Sequence, residues 1–501
     1  MKQTRVLIVN SYEYPFNLLA DSSFTLTKSI IQAMPKDRFY FIWVLPEFNL
    51  PIPHKYRVSD VLGLPENVSV LQVPMLRFRP LSEMLLSEEL FMQINPISGK
   101  RCDYDLVMTN NPNVAGRLAD WFASVMYKNI HDYVPTDPPI LLLDYSTPFY
   151  GNDCECSYAK YYPSKLKSMY LGYATADRSL FFTQYCFQKA MEQYRKFYSA
   201  AEAREFSGQR AKVFRGIFRL KGLDGERPEK YDTFSIYWGG RLAYGKRVKL
   251  ITEMVNRVYK TGRQVKMVLT LPDEKSLESL EHQIPDGYGD CFEIYAGLPQ
   301  QEAFKVMASC HASVFAQSMR FGPAAPMEQL YSRLVLIPFK RESGDLLPYD
   351  YPYYWTDKEE LLAHLIDVYD HYDQAVERIE PFCKQIANHC SLEGNIDQLV
   401  FEIENMVDQQ DRRIREQIVP AMSLLQGRID EVRHQSAKRP VQFRAYTEWL
   451  LQTHRVYSPL RYELNPFYLN PSLWVVYKVL RAHLSSNLLR DDPLFYSKGE
   501  E

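Results

Sequence analysis

Residues 236–249 read IYWGGRLAYGKRVK, in which an apolar run ends in two glycines and a helical pattern begins a few residues later. Gly239 and Gly240 allow the backbone to turn tightly and to approach a ligand closely, because they carry no Cβ atom. A helix that begins near Lys246 directs unpaired N–H groups and a partial positive charge towards the same turn. Arg241 can grip an oxyanion with two parallel hydrogen bonds, and Lys246 adds a point charge. The stretch predicts an anion site, unless it is an ordinary strand-to-helix turn with solvated cations.

Short apolar runs alternate with helical patterns on both sides of this stretch. Continuous apolar runs such as RVLIVN at 5–10 and ILLLDYS at 140–146 are typical of buried parallel strands. The polar, turn-rich segment after residue 217 interrupts the alternation and predicts a linker. We therefore expect an α/β protein with two Rossmann-like doubly wound domains and a helical C-terminal extension. The predicted boundaries are 1–217 for the first domain, 218–232 for the linker, 233–400 for the second domain and 401–501 for the extension.

Composition limits the class of protein. The chain has 501 residues, of which 46% are hydrophobic and 14% aromatic, which suffices for more than one large core. A formal net charge of −2 gives no global attraction to nucleic acid or to an anionic membrane. No apolar stretch has the length of a membrane span, and eight cysteines in so long a chain are no disulfide framework, so we expect a cytoplasmic protein. Cys154 and Cys156 form a CxC pair without a second pair at zinc-site spacing, so no metal is expected.

A second candidate stretch, SVFAQSMRFGPAAPMEQLYSRLVLIPF, occupies residues 313–339 and runs from strand through loop and helix to strand. Its loop contains Arg320, Phe321 and Gly322, and Glu328 falls in the first turns of the helix that we predict near Pro326. A carboxylate there can accept two hydrogen bonds from the vicinal hydroxyls of a ribose, at the strand ends where open parallel sheets bind ligands. The alternative is a helix-cap carboxylate that the helix dipole favours.

Together the two stretches resemble the donor-binding half of the retaining GT-B glycosyltransferases that use nucleotide-sugars. In that family a strand ends in a Gly-Arg pair and a lysine follows five residues after the arginine, as Lys246 follows Arg241 here. The resemblance implies that these two cations hold the donor diphosphate beside Gly239 and Gly240, with Arg247 as an alternative to the lysine. It covers residues 234–340 well and is consistent with the alternating pattern of residues 1–217.

The loop pattern of that family, EGFGLPPLE, is only partly present. The corresponding RFGPAAPME keeps Phe321, Gly322 and the second acid, Glu328, which by the resemblance would hold the ribose. Arg320 stands where the first glutamate is expected. In the family this glutamate lies near the transferred sugar, so the resemblance implies that Arg320 adds a phosphate contact or suits an unusual or acidic sugar.

By the same resemblance, the first half of the chain is the acceptor domain. Asn110 and Asn113 follow the predicted strand that ends in MTN, and Asp144 follows three leucines at the end of another. Asp21 and Ser22 precede a helix predicted to begin near residue 24. These side chains would face the cleft. The alternative for Asp144 is a turn-former, and the alternative for Asp21 and Ser22 is a helix cap.

The resemblance implies a hexosyl- or pentosyltransferase that acts on a nucleotide-sugar and a hydroxyl acceptor with retention of configuration. Catalysis would come from Arg241 and Lys246 at the leaving diphosphate, with Asp144 on the acceptor side and with neither a cofactor nor a metal. The acceptor that the resemblance implies is a glycan or a lipid-linked saccharide. A hydroxymethylated base in DNA is the alternative, because segments such as 426–444 interleave basic with aromatic residues. The alternative for those segments is a solvated helix face. The alternatives for the whole protein are an epimerase or phosphorylase of the same fold and a non-catalytic nucleotide-binding protein.

Overall fold

The computed structural model describes residues 3–12, 18, 21–46, 62–73, 104–112, 114–116, 118, 138–144, 172–220, 228–240, 242, 246–274, 276–277, 280, 291–340 and 345–413. Arg241, Asn113 and the CxC pair of Cys154 and Cys156 lie outside these residues, as does the part of the predicted extension after Arg413. Among the described helices, none combines the length and the apolar character that crossing a bilayer requires.

Two parallel β-sheets organise the described residues. The strands of the first sheet are β1 Thr4–Val9, β2 Phe39–Pro46, β3 Val68–Val73, β4 Leu106–Thr109, β5 Ile140–Asp144, β6 Arg178–Phe181 and β7 Ala211–Val213. The strands of the second sheet are β8 Phe234–Gly239, β9 Val265–Leu271, β10 Phe292–Ala296, β11 Ala312–Phe315 and β12 Val335–Pro338. Strands β4, β5, β6 and β12 are buried along their whole length, as expected for parallel strands covered on both faces.

Helices connect and cover these strands. They are α1 Ser22–Ala33, α2 Gln184–Phe197, α3 Ala200–Glu205, α4 Val248–Lys260, α5 Gln300–Ser309, α6 Ala324–Tyr331, α7 Lys358–Asp370, α8 Tyr372–Cys390 and α9 Leu392–Arg413. A π-helical turn at Phe206–Arg210 and a 3₁₀ turn at Met319–Phe321 complete the described elements. Helix α4 shows why these helices pack against the sheets. Its residues Ile251, Val255 and Val258 form an apolar stripe at helical spacing, and all three are buried.

The strand order is β3-β2-β1-β4-β5-β6-β7 in the first sheet and β10-β9-β8-β11-β12 in the second, and every neighbouring pair is parallel. Both orders reverse direction once, between β1 and β4 and between β8 and β11. Ligands of doubly wound sheets bind in the crevice outside the carboxyl ends of the strands at such a reversal. The predicted α/β class with two doubly wound domains is confirmed, and the fold itself places one candidate crevice at the end of β8.

Element boundaries differ from the predictions where a terminal residue has a special role. Helix α4 begins at Val248 rather than near Lys246, because Arg247 adopts a left-handed conformation as its N-cap. Helix α6 begins at Ala324, so that Pro326 is its third residue and its missing N–H belongs to the first turn, where no helical partner exists. Helix α9 runs across the predicted boundary between residues 400 and 401.

Helix α9 packs back against the first sheet. Its Glu402 is 1% exposed and forms an ion pair with Arg178 of β6 at 2.8 Å and another with Lys212 of β7. Gln398 donates a hydrogen bond of 3.0 Å to the carbonyl of Val213. A buried carboxylate that pairs with two cations fixes the position of the helix more than it stabilises it, because desolvation offsets much of the attraction. The chain therefore returns to its first half after completing the second.

The two halves also meet at the start of α2. Thr183, its N-cap, donates a hydroxyl hydrogen bond of 2.6 Å to the carbonyl of Arg320. The amide of Tyr185 donates to Asp345 Oδ2 at 3.0 Å. Since α2 follows β6 and the Arg320 loop follows β11, these contacts bring loops from the carboxyl edges of the two sheets together.

Candidate functional site

The glycine turn after β8 is the centre of the candidate site. A Cβ atom on Gly239 would lie 2.2 Å from the hydroxyl oxygen of Tyr237 and 2.7 Å from Oγ1 of Thr270. These two oxygens are themselves hydrogen-bonded at 2.7 Å, so neither can move away easily. Gly240 has a φ of 123°, which L-residues with a side chain rarely adopt. Both glycines are therefore needed for this turn, in agreement with the sequence argument.

Lys246 lies directly over the turn. A Cβ atom on Gly240 would fall 2.2 Å from its ammonium nitrogen, which also lies 5.9 Å from the centroid of the Trp238 ring. The absence of a side chain on Gly240 thus provides the space that the ammonium group occupies. A cation held at a bare backbone turn, at the strand end where the sheet order reverses, is suited to attract a phosphate group.

Arg247 takes a different position from that of Lys246. Its φ of 48° is in the left-handed region, and its guanidinium carbon lies 4.4 Å from the centroid of the Phe339 ring at the end of β12. Lys340 also has a positive φ, 61°, and its ammonium nitrogen lies 4.8 Å from the same ring. Among the described cations that follow β8, the geometry singles out Lys246 as the one over the glycine turn.

Glu328, on α6, brings the second sequence motif to the same place. Burial among protein atoms raises the pKa of its carboxyl group from 4.5 to about 7, although the residue keeps some solvent exposure. No hydrogen bond to this carboxylate exists among the described residues. The pKa of Tyr237 is raised mainly by burial, and the charge of Glu328 contributes to that rise. The carboxylate is therefore close to Tyr237, whose hydroxyl abuts Gly239.

The two motifs meet because β8 and β11 are neighbours in the sheet. The glycine turn follows β8, while Glu328 lies on the helix after β11. A cation at the turn after β8 and a desolvated carboxylate on the helix after β11 are chemically suited to a molecule that carries both phosphate and hydroxyl groups. This geometry is consistent with the sequence argument for a diphosphate next to a ribose.

Arg320, Phe321 and Gly322 lie in the loop between β11 and α6. The guanidinium carbon of Arg320 lies 5.0 Å from the centroid of the Tyr185 ring, in the first half of the chain. Gly322 is left-handed, with a φ of 76°, and a Cβ atom there would approach Cβ of Phe182 to 3.1 Å. The backbone of Phe321 belongs to the 3₁₀ turn, and its side chain lies outside the described atoms. This loop therefore forms part of the contact between the halves.

Asp144 is at the carboxyl end of β5 in the first half, and it is 5% exposed. The hydroxyl of Tyr173 donates a hydrogen bond of 2.7 Å to its Oδ2 atom. Burial raises the pKa of the Cys186 thiol to about 12, and the charge of Asp144 adds to this rise. Asp144 is thus an oriented carboxylate close to the start of α2, the segment that contacts Arg320.

The remaining acceptor-side candidates have local partners. Asp21 accepts hydrogen bonds from the amides of Ser23 at 2.8 Å and Phe24 at 3.1 Å, so it caps α1, while Ser22 is the exposed first residue of that helix. Asn110 exchanges two hydrogen bonds with the backbone of Ser11, at 2.8 and 2.9 Å. This pair ties the ends of β4 and β1 together across the reversal in the first sheet.

Sequence reasoning did not find Tyr237, Thr270, Tyr173 or Tyr185, which support the candidate residues. The role of Tyr237 could have been predicted from the sequence. Residues two apart on a strand share a face, and Tyr237 precedes Gly239 by two residues. The other three are far from their partners in sequence. Within the described residues, no cluster of three or more metal-ligating side chains exists.

Comparisons with known proteins show where this fold occurs. No protein-family model matches the chain, and no curated protein matches its sequence. The fold is the GT-B fold of two facing Rossmann-like domains, which solved glycosyltransferases share with this chain. Sucrose-phosphate synthase from Thermosynechococcus elongatus matches with a TM-score of 0.59 and 11% identity, over 81% of this chain and 100% of that one.

Two further solved structures match over the same share of the chain. The catalytic domain of starch synthase IV from Arabidopsis thaliana, bound to ADP and acarbose, matches with a TM-score of 0.54 and 11% identity, over 81% of this chain and 100% of its own. HepE from Anabaena, in complex with UDP and glucose, matches with a TM-score of 0.53 and 12% identity, again over 81% and 100%. At such low identity the likeness establishes the fold.

Proposed function

We propose that this protein is a glycosyltransferase that moves a sugar from a nucleoside-diphosphate sugar to a hydroxyl acceptor. The observation that carries the proposal is the position of Lys246 over the Gly239–Gly240 turn, at the reversal of the second sheet, with the desolvated carboxylate of Glu328 on the helix after the neighbouring strand. One pole of this crevice suits phosphate and the other suits hydroxyl groups, and a nucleoside-diphosphate sugar carries both. The structures of proteins with this fold that contain UDP or ADP support this choice of donor.

In the proposed reaction, negative charge grows on the diphosphate as the bond to the sugar breaks. Lys246 is already placed over the bare turn, so its positive charge stabilises the departing group without rearrangement. Arg241, the first residue after the turn, is proposed as the second diphosphate ligand. Glu328 in its ionised form accepts hydrogen bonds from the ribose hydroxyls and orients the nucleotide.

We further propose that the reaction retains the anomeric configuration and that the leaving phosphate takes the proton of the acceptor on the same face. No protein nucleophile is then required. Asp144, held by Tyr173, is proposed to contact the acceptor from the first half, and Arg320 to contact the sugar or a phosphate from the second. We propose that the protein works in the cytoplasm, without a metal or a cofactor, on a glycan acceptor.

The experiment is a donor panel. The purified full chain is incubated with UDP-, ADP- and GDP-sugars, and released nucleoside diphosphate is measured with and without acceptors. We expect Lys246→Ala to lower kcat/KM for the preferred donor by about 100-fold or more, since it removes one preorganised contact to the developing charge. Lys249→Ala, which removes an exposed lysine in the first turn of α4, is the matched control and should change kcat/KM by less than about twofold.

Two further comparisons complete the test. Arg241→Ala should abolish turnover while the far-ultraviolet circular dichroism spectrum stays unchanged. Oligosaccharides, plain DNA and hydroxymethylated DNA are offered as acceptors in parallel, and transfer to hydroxymethylated DNA alone would replace the glycan acceptor by a nucleic acid. Binding of nucleoside diphosphates without release from any donor would overturn the enzymatic proposal in favour of a nucleotide-binding protein.

A further inference from the structure

A second cluster of cations lies where the chain passes from its first half to its second. The backbone at residues 218–220 is fixed against the start of α9: the amide of Leu392 donates to the carbonyl of Phe218 at 2.7 Å, and the amide of Leu220 donates to Glu393 Oε2 at 2.9 Å. Arg219 lies between these two anchors. Its backbone is therefore held in place on both sides.

The Arg219 guanidinium has one hydrogen-bond partner and one distant ion pair among the described residues. One terminal nitrogen donates to Oε1 of Gln32 on α1, in the first half. Its Nε atom lies 3.8 Å from Glu393 Oε1, which is too far for a hydrogen bond, and it is buried without an acceptor in the described part of the chain. The other terminal nitrogen of the guanidinium has no hydrogen-bond partner among the described residues, and unlike the Nε atom it is not among the buried unpaired atoms, so it can donate to a ligand.

Lys28 lies one helical turn before Gln32, on the same face of α1. Its ammonium nitrogen is 3.5 Å from the position that a Cβ atom on Gly63 would take, and Gln32 donates to the Gly63 carbonyl at 3.2 Å. Lys28 is partly buried, and no hydrogen-bond or ion-pair partner exists for its ammonium group in the described ranges. Burial, followed by the charge of Arg219, lowers its pKa.

Two cations thus flank the Gln32–Gly63 bridge. Among the described residues, Glu393 forms the ion pair with Arg219, and no carboxylate pairs with Lys28. Like charges brought together in partly desolvated surroundings are unfavourable unless an anion joins them. A tetrahedral oxyanion has enough acceptor oxygens to serve the three donors of Lys28 and the second terminal nitrogen of Arg219.

We propose that Lys28 and Arg219 form a second anion site, separate from the Gly239–Gly240 turn, that binds inorganic phosphate or the phosphate group of a monoester. The site joins α1 of the first half to the connecting segment and the start of α9. A bound phosphate therefore braces the junction between the halves, and its occupancy stabilises the folded chain in proportion to its affinity. The proposal does not depend on the transferase activity.

Isothermal titration calorimetry on the full chain tests it, with inorganic phosphate as one titrant and glycerol 3-phosphate as the other. All variants carry Lys246→Ala, which weakens phosphate binding at the glycine turn equally in each of them. We expect saturable binding of at least one titrant, and the tighter of the two identifies free phosphate or a monoester as the source. Adding Lys28→Met should weaken binding by about tenfold or more, because a charge-assisted contact is lost. Adding Lys36→Met, an exposed lysine nearby, should leave the affinity within about twofold.

The melting temperature separates binding from folding. Lys28→Met removes an uncompensated charge, so it should not lower the melting temperature in phosphate-free buffer, and it should suppress the rise that phosphate produces in its parent. The absence of saturable binding at millimolar concentrations of both titrants would overturn the proposal. Equal phosphate affinity in Lys28→Met and Lys36→Met would overturn it as well. Neither result would bear on the donor site, which the Lys246→Ala background weakens equally in every variant.

Discussion

The ammonium nitrogen of Lys246 lies 2.2 Å from the point where a side chain on Gly240 would begin. The bare backbone and the cation are therefore one unit: the glycine creates the space and the lysine fills it. The φ of 123° at Gly240 adds a second reason for glycine at this position. These two requirements can be separated experimentally, since strain and displacement have different consequences.

Gly240→Ala should lose nucleotide binding as well as stability. The backbone strain should cost about 1–2 kcal/mol of unfolding free energy, and the new methyl group should push Lys246 off the turn. Gly262→Ala is the matched control, because Gly262 has a φ of 88° and nothing within 4 Å of its added Cβ atom. Urea denaturation should show comparable losses for both variants, whereas UDP or ADP affinity should fall in Gly240→Ala alone. An equal loss of affinity in both would mean that strain, and not the displaced lysine, matters.

Nucleotide affinity should rise with pH through about 7. The pKa of Glu328 is raised by burial to about 7, and only its ionised form offers two negatively charged oxygens as strong acceptors for the ribose hydroxyls. Glu328→Gln should flatten this dependence, whereas Glu302→Gln, at an exposed position in the first turn of α5, should retain it. The affinity is measured from pH 5.5 to 8.5 by titration with nucleoside diphosphate. A flat profile in the unmodified chain would contradict the role of Glu328.

The same group should affect stability in the opposite direction. The folded chain keeps the Glu328 proton up to about pH 7, whereas the unfolded chain releases it near pH 4.5. The stabilising contribution of the protonated Glu328 side chain is therefore fully present below pH 4.5. It decreases as the pH rises to 7, by at most about 3 kcal/mol. Between pH 4.5 and 7, the unfolding free energy of Glu328→Gln should increase relative to that of the unmodified chain, as measured at several pH values. A constant difference would show that the carboxyl group is not desolvated.

Substitution of Arg247 should affect the stability of the fold more than the binding of the nucleotide donor. Its guanidinium stacks on Phe339 at 4.4 Å, and its backbone is left-handed. Arg247→Gly should change stability little, because relief of about 1 kcal/mol of strain offsets the lost cation–π contact, while Arg247→Ala keeps the strain and loses about 1–2 kcal/mol. Both should retain nucleotide affinity within about threefold. If either matched the loss seen in Lys246→Ala, Arg247 would be a diphosphate ligand after all.

Asp345 should couple the two halves. Its carboxylate accepts the Tyr185 amide across the boundary at 3.0 Å, whereas Asp357 caps α7 within the second half. Replacement of either by alanine should cost about 1 kcal/mol of stability, as expected for a lost cap. Only Asp345→Ala should also lower kcat, because the loops that bring the two halves together are loosened. Steady-state kinetics and thermal melts of both variants test this prediction. An unchanged kcat in Asp345→Ala would show that Asp345 does not couple the two halves.

Much of the fold was predictable because the relevant signals are local. Buried parallel strands leave continuous apolar runs, such as ILLL before Asp144, and these predicted the strands to within a few residues. The boundaries that shifted did so at Arg247 and Pro326, where a cap and a proline obey rules that the apolar period does not report. The phosphate turn was predictable for the same reason, since two glycines and the following cations are adjacent in the chain.

The side-chain partnerships were not predictable, because they join residues that are distant in sequence. Nothing in the pattern around Asp144 indicates that Tyr173 would donate to it, and nothing around Arg320 indicates Tyr185. Asp21 shows the converse: a local rule predicted the cap, and the amides of Ser23 and Phe24 bind it. Local rules work for contacts within one turn and fail for contacts that depend on strand order.

The amino-acid sequence by itself determined that this protein has two doubly wound α/β halves and a bare, cationic turn after β8. Periodicity, glycine conformation and charge are properties of neighbouring residues, and they need no folded context. The tertiary structure decided which cation occupies that turn, and it placed Arg247 on Phe339 instead. It also decided that Glu328 lies on the helix after β11, the neighbour of β8, where the charge of its carboxylate acts on Tyr237.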